Sequence, residues 1–443
     1  MQLTMEGVLA LAPDDSSAKA ARGLTSPAKW PLLGADERAA WGECQGSGSK
    51  PYQTQVDFNG PAFRCSCPSR KFPCKHGLAL LLMRAQDSSL FQGREAPTWV
   101  TEWLASRGEK AQKKEQRLAE KAAEPVDPQA VEKREAQRWR RIEAAGDELR
   151  RWLADQLAHG LGALTPELLR GWHTMAARMV DAQAPGLGQR VRDAADGVRQ
   201  GEDWPERTLH RLGLLQLAGE ALARRATLGA PLQADLRAIV GWPHDKAEVL
   251  AGGERVADRW TVLGVIHDER DEKLVERRVW LRGERSGRQA WLLDHAFGGR
   301  GFEQGWVTGM GVEAQLAFFP GASGLRALAV DPIGAPEGPT WHRPTWVDEW
   351  QAISSRVAAC PWVTWHPLTL TDAVPVRDGE RLLAVAGDRA LPLAVGETDA
   401  WALWAACGGH PLQLFGEWDG QVLRPLTGWR TGALAPCWQR SVA

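Results

Sequence analysis

A chain of 443 residues, 44% hydrophobic and 25% charged, has ordinary globular composition and room for two to four domains. Its net charge of −1 supplies no global field to draw it onto DNA or an anionic membrane, and no apolar run approaches the roughly 18–20 residues that span a bilayer. The opening MQLTMEGVLALAPDDSS lacks a basic region and meets proline and two aspartates, which argues against a secretory signal. Seven cysteines in so long a chain do not make a disulfide framework, so a reducing, cytoplasmic setting is expected.

Residues 1–106 read as a first unit. Residues 5–12 and 16–23 are short helix candidates, and GSGSKPYQTQVDFNGPAF reads as turn, alternating strand, turn and the start of another strand. The run GLALLLMRA after His76 has helical character, and Trp99 and Trp103, one turn apart, are placed to pack back on the unit. Across 107–146 large apolar residues almost vanish, and 107–141 holds eleven Lys or Arg against seven Asp or Glu. Pro125 and Pro128 divide this charged helical linker into two halves. It is either simply solvated or a weak arm for anionic surfaces and nucleic acid.

Residues 147–250 read as a helical domain. Thr165 is an N-cap with Pro166 at the first helical position, and Leu168, Trp172, Met175 and Met179 follow at helical spacing. DWPERTLHRLGLLQLAGEALARR repeats the signal, while His173 and His210 read as structural or surface residues. Residues 251–443 shift toward period two, with strands in DRWTVLGVI, RRVWLRGERSGRQAWLLDHAF, EAQLAFFPGASGLRALAV and PLQLFGEWDGQVLRPL. Hairpin turns fall at Ser286-Gly287 and Asp419-Gly420. Two helices interrupt the strands: TWVDEWQAISSRVAA, with Thr345 and Asp348 spaced as a capping box, and TDAWALWAACGG, closed by glycine. Twenty-three tryptophans beside one tyrosine, scattered without a period, read as core or interface anchors.

The chemistry concentrates in FRCSCPSRKFPCKHGLALLL, residues 63–82. Cys65 and Cys67 are separated by one residue, so on an extended segment both sulfurs face one side. Cys74 and His76 repeat that gap just before the apolar helix. Two such pairs meet zinc's demand for four tetrahedral thiolate or imidazole ligands at little entropic cost. With all four positions filled by protein and no carboxylate in the loop PSRKFP, the expectation is one structural Zn²⁺ and not a catalytic one. A redox dithiol fits the third cysteine and the histidine less well. Metal binding also answers a folding problem, because residues 44–90 alone hold only a small core.

CxC followed by CxH resembles the SWIM zinc finger, and Cys65, Cys67, Cys74 and His76 match that motif without a departure. The flanking WGECQGSGSKPYQTQVDFNGPAFRCSCPSRKFPCKHGLALLL and AARMVDAQAPGLG further resemble a bacterial family of SWIM-containing proteins of similar length. The resemblance implies a compact strand–strand–helix finger without catalysis, associated with binding DNA or proteins. Bacterial members are similar to proteins that occur beside AAA-type ATPases and von Willebrand A-domain proteins, which become the expected protein partners. The fold class is then α+β multidomain, with a small N-terminal ββα zinc-finger domain, a helical middle region and a β-rich C-terminal region.

Three thiolates and a neutral imidazole around Zn²⁺ leave a charge of −1, and Arg64, Arg70, Lys71 and Lys75 surround it. They either neutralise that charge or contact a partner or phosphate. The residues after His76 are apolar and face a core, so no recognition helix follows and sequence-specific DNA reading is disfavoured. A non-catalytic protein-interaction scaffold or adaptor is the leading reading, and weak nucleic-acid binding through the basic finger loop the alternative. The chain has no GxxxxGK[ST], HExxH or GxSxG motif, and GGRGFEQG lies between strands. Cys360, His366, Cys407, His410 and Cys437 leave a second metal site open, although Cys407 on an apolar helix face behaves as a small hydrophobe. Cys44, near the finger in sequence, reads as a packing residue.

Overall fold

The computed structural model describes residues 5–9, 11–12, 15–46, 48, 50–58, 62–69, 73–91, 95–109, 127–271, 274–297, 302, 304–330, 333–334, 338 and 345–441. The first unit holds α1 (Met5–Leu9), α2 (Asp15–Arg22), β1 (Leu32–Ala35), β2 (Ala39–Cys44), β3 (Tyr52–Asp57), β4 (Ala62–Cys65), α3 (Lys75–Gln86) and a helix α4 over 98–109. Its strands form one antiparallel sheet in the order β1-β2-β3-β4. On one face Ala40, Cys44 and Val56 pack with Leu78 and the apolar run of α3. On the other, Ala39, Trp41 and Ala62 pack with Val100, Trp103 and Leu104 of α4. The sheet therefore exceeds the expected two strands. Strands β1 and β2 escaped the period-two search because β2, covered on both faces, is buried at five of its six positions and shows no alternation.

A helical region follows: α5 (Pro128–His159), α6 (Pro166–Asp181), α7 (Pro185–Asp196), α8 (Trp204–Ala223), α9 (Ala230–Ile239) and α10 (Lys246–Gly252). Proline opens each of α5 to α9 at its first or second position, where the missing N–H has no helical partner to lose. Asp127 caps α5 by accepting from Gln129 N, and Thr165 caps α6 by accepting from Leu168 N. Helix α5 runs unbroken for 32 residues through position 146, where the sequence reading set a boundary. Ile142, Ala145, Leu149 and Leu153 line up on its buried side and join Trp172, Met175, Met179, Leu187, Val191, Leu212, Leu215 and Leu236 in one core. Pro128 begins this helix; Pro125 lies outside the described residues.

The C-terminal region holds two antiparallel sheets. One has the order β7-β6-β5-β8-β9, built from β5 (Arg255–Asp271), β6 (Leu274–Gly283), β7 (Gln289–Phe297), β8 (Gly311–Phe318) and β9 (Ala327–Val330). The other has the order β12-β11-β10-β13-β14-β15, built from β10 (His366–Asp378), β11 (Arg381–Ala386), β12 (Arg389–Pro392), β13 (Leu412–Trp418), β14 (Leu423–Arg430) and β15 (Trp438–Gln439). Helices α11 (Trp346–Ala359) and α12 (Glu397–Cys407) accompany them. Leu263, Ile266 and Trp280 of the first sheet meet Phe415, Leu426 and Trp429 of the second. Cys360 and Trp362, just after α11, reach back into the helical core, and Trp362 Nε1 donates to Leu214 O at 3.1 Å. Among the described residues no helix is long and apolar enough to cross a membrane.

Candidate metal centre

Cys65 ends β4, Cys67 follows two residues on, Cys74 is the N-cap residue of α3, and His76 lies in the first turn of that helix. Their ligand atoms all lie within 4.8 Å of one another. His76 Nδ1 is 3.7 Å from Cys65 Sγ and 4.0 Å from Cys74 Sγ. A tetrahedral zinc with sulfurs at about 2.3 Å spaces its ligands about 3.8 Å apart. Three sulfurs and one imidazole at these separations fit that ion, with Cys74 and His76 buried and Cys65 and Cys67 half-buried.

Local sequence builds the arrangement. The β3–β4 register sets Thr54 opposite Cys65, and Thr54 Oγ1 lies 3.1 Å from Cys65 Sγ. Ser66 N donates to Gln53 O at 2.9 Å, and Gln53 N donates to Ser66 Oγ at 3.0 Å, so pairing extends one residue past Cys65. Leu78 N donates to Cys74 O at 3.1 Å, which starts the helix at this ligand. A Cβ at position 77 would stand 2.8 Å from the Phe63 ring, so Gly77 is what lets α3 close on β4. Tyr52 packs its ring 4.9 Å from the His76 imidazole. Tyr52, Thr54 and Gly77 were not singled out from sequence. Tyr52 and Thr54 share the pleat face of Cys65, but only the strand register reveals that.

The donors bias one another's protonation. Hydrogen bonds with Cys65 and Cys74 pull the Cys67 thiol far below the ordinary thiol range, and the contacts with Cys67 and Cys74 push Cys65 up. Burial disfavours charge on His76, but hydrogen bonds to Cys67 and Cys74 outweigh it and raise its pKa to about 9. The lowering at Cys67 favours the thiolate, the form a metal takes. Cys44 is fully buried in the core beneath α3, and burial pushes its thiol up as well, consistent with packing.

Two family models match the chain: a SWIM zinc finger over residues 52–85 and a SWIM-associated four-helix bundle domain over residues 137–240. The chain carries a SWIM zinc finger. No curated protein and no solved structure matches it. The SWIM ligand set is Cys65, Cys67, Cys74 and His76, consistent with one structural zinc ion. The bundle match takes in the later part of α5 and all of α6 to α9.

Around the SWIM finger, Arg64 and Lys75 are exposed, and neither pairs with a carboxylate among the described residues. Arg70 and Lys71, expected as contact residues too, lie outside the described residues. Arg64 lines a cavity of about 260 Å³ with Gln53, Gln55, Ser66, Trp99 and Glu102, beside Cys65. Elsewhere among the described residues no second group of metal-ligand side chains converges. Cys407 Sγ instead donates to His410 O at 3.2 Å, and Cys437 Sγ to Gly428 O at 3.3 Å. Burial pushes the Cys360 thiol up to about 12 beside Asp235, and His366 faces Arg356. His173 is half-exposed 3.7 Å from Asp196, and His210 is exposed.

Proposed function

We propose that this SWIM protein is a non-catalytic adaptor whose finger holds one structural zinc and presents a protein-contacting surface. The closed donor set carries the proposal. Three thiols and an imidazole from the protein supply four ligands, so a zinc held there has no vertex for water or substrate. What remains for the finger is recognition. The cavity beside Cys65 mixes Arg64 with Glu102, two glutamine amides and an indole. That mixture suits a polypeptide better than a run of phosphates, because Glu102 would face the phosphates with like charge. AAA-type ATPases and von Willebrand A-domain proteins are the partners to test first. Nucleic-acid binding through Arg64 and Lys75 is the second reading, favoured by their exposure without an ion pair among the described residues.

The test is affinity capture with zinc-loaded protein and with an Arg64→Glu, Lys75→Glu variant shown by metal analysis to keep its zinc. Recovery of an AAA-type ATPase or von Willebrand A-domain protein by the parent and not by the variant is expected. Duplex and single-stranded DNA titrated at about 50 and 200 mM salt decide the alternative. Tight, salt-steep binding lost in the variant, without any protein capture, would replace the adaptor reading.

A further inference from the structure

A cavity of about 360 Å³ opens where α10 meets the five-stranded sheet, beside the start of β5 and the end of β8. Small-ligand sites usually measure about 300–1,000 Å³ and favour such junctions between regions. Glu248 and Gly252 of α10, with His244 just before that helix, form one wall. Phe318 and Phe319, at the β8–β9 turn, form a second, and Arg288 of the β6–β7 hairpin with Glu254 forms a third. Fixed contacts hold these walls in place. Ala322 N donates to Asp235 Oδ2 at 2.8 Å, which ties the β8–β9 turn to α9. Phe318 N donates to Glu254 O at 2.9 Å, and a Cβ at Gly253 would meet Phe318 O at 2.7 Å, so only glycine lets the end of α10 come this close to β8. Arg288 donates to both oxygens of Glu254, one of them at 2.9 Å, and stacks 3.7 Å from the Phe318 ring centroid.

The polar groups left over in the lining are acceptors. Arg288 and Glu254 neutralise each other. His244 Nε2 donates to Ala234 O at 3.1 Å, and burial holds the imidazole below its ordinary range, so the ring is neutral and Nδ1 keeps its lone pair. Glu248 is exposed and makes no ion pair among the described residues. Arg326, another nearby cation, stacks on Phe319 at 4.3 Å and does not line the cavity. Two carboxylates against one guanidinium leave the lining with one negative charge. An anion would meet that charge, and an apolar ligand would cover Glu248 and His244 Nδ1 without pairing them. A cationic head rich in N–H donors, on an aliphatic stem that can lie along Val249 and Phe319, satisfies both.

We propose that the cavity between α10 and the β8–β9 turn binds an alkyl guanidinium or alkyl ammonium group, its charged head pairing with Glu248 and donating to His244 Nδ1. That chemistry is carried by a free organic amine or by an arginine or lysine side chain of a partner protein. The inference is independent of what the finger binds.

The experiment is isothermal titration calorimetry on zinc-loaded full-length protein at about 50 mM salt. Agmatine serves as the free cation, and a short glycine peptide with one central arginine as the tethered one. Saturable binding of at least one probe is expected, and the tighter of the two identifies the source. Glu248→Gln should weaken binding about tenfold or more, the loss of a charge-assisted hydrogen bond. Gly252 lines the cavity and a Cβ there would touch nothing, so a leucine side chain can occupy that space. Gly252→Leu should therefore abolish binding while the melting curve stays level or rises. Glu206→Gln, at an exposed carboxylate on α8, and the finger variant Arg64→Glu, Lys75→Glu should stay within about twofold, so failure here is separable from failure of the adaptor reading. Absence of saturable heat with both probes, full affinity in Glu248→Gln or Gly252→Leu, or equal affinity for the uncharged N-butylacetamide would overturn the proposal.

Discussion

The finger and the interface between the two C-terminal sheets both bring polar groups into the interior, by opposite routes. In the finger, four donors fall within twelve residues and a single ion can satisfy them. Between the sheets, Arg278 Nε donates to Glu417 Oε1 at 2.6 Å across 139 residues of sequence, and Trp280 Nε1 donates to the same oxygen at 2.7 Å. Asp268 then accepts from both Arg278 and Arg424 at 3.3 Å. A metal site is organised by local spacing, whereas an ion-pair network exists only after distant strands have paired. The first should fail locally when disturbed, and the second should loosen the packing of two sheets.

The largest expected effect comes from taking the metal away. A structural zinc contributes roughly 10–16 kcal/mol in apparent terms, more than the stability of most domains. Cys67→Ser, or a strong chelator, should therefore unfold the first unit while the β-rich region keeps its own melting transition. Calorimetry with zinc analysis checks this, and an unchanged low-temperature transition in Cys67→Ser would show that the sheet and its four helices suffice alone. The parent should carry about one zinc per chain.

Next is Glu417→Gln. Glu417 is fully buried, and its loss of charge leaves Arg278 with only the half-exposed Asp268 and the more distant Glu276. Breaking a buried pair from one side costs about 3–5 kcal/mol. Removing both charges in a Glu417→Met, Arg278→Met protein should recover much of that, since the uncompensated cation goes too. Chemical denaturation of the three proteins reads the difference. Equal stability of the parent and Glu417→Gln would mean that water or Asp268 already satisfies Arg278.

The same contrast explains what could be read in advance. The ligand set, the caps at Thr165 and Thr345, and the hairpin turns at Gly287 and Gly420 are local, and each is visible as residues at fixed short spacing. Strands β1 and β2 were hidden because burial on both faces erases alternation. Helix α5 was divided at 146 because its charged surface dominates the composition, while the core contact rests on a few positions such as Ile142 and Ala145. Arg278 and Glu417 carry no local signature at all. Nor does the stacking of Arg138 and Arg237 on the Trp242 ring, which joins elements far apart in sequence.

A smaller effect sharpens the comparison through pH. His366, buried on β10, is held at a pKa of about 4, first by burial and then by Arg356. Its unfolded value is about 6.5. Between these values the unfolded chain takes up a proton that the folded chain refuses. Stability contributed by the neutral ring is thus complete above about pH 6.5 and lost as pH falls toward about 4, by about 3 kcal/mol. His267, also near 4 through burial, acts in the same direction. His366→Asn should flatten the stability slope between about pH 6.5 and 4 relative to the parent, measured by denaturation at several pH values. An identical slope would assign the acid sensitivity to His267 and the carboxylates instead.

The smallest effect tests where local and distant order meet. Thr345 caps α11 by accepting from Asp348 N, and Asp348 returns the contact to the Thr345 backbone. A lost cap of this kind costs about 1 kcal/mol. The next residue, Glu349, is buried and accepts from Arg282 at 2.8 Å and from Thr369 N at 2.9 Å, tying the first turn of α11 to both sheets. If the turn is held mainly from within, Thr345→Ala should cost about 1 kcal/mol and add to the cost of Glu349→Gln in the double variant. If the distant contacts hold the turn in place, Thr345→Ala should cost much less while Glu349 is present and regain its full effect once Glu349 is replaced. The observed network, with a carboxylate pinned from two sheets, favours the second outcome, and a strictly additive pair of stability losses would reject it.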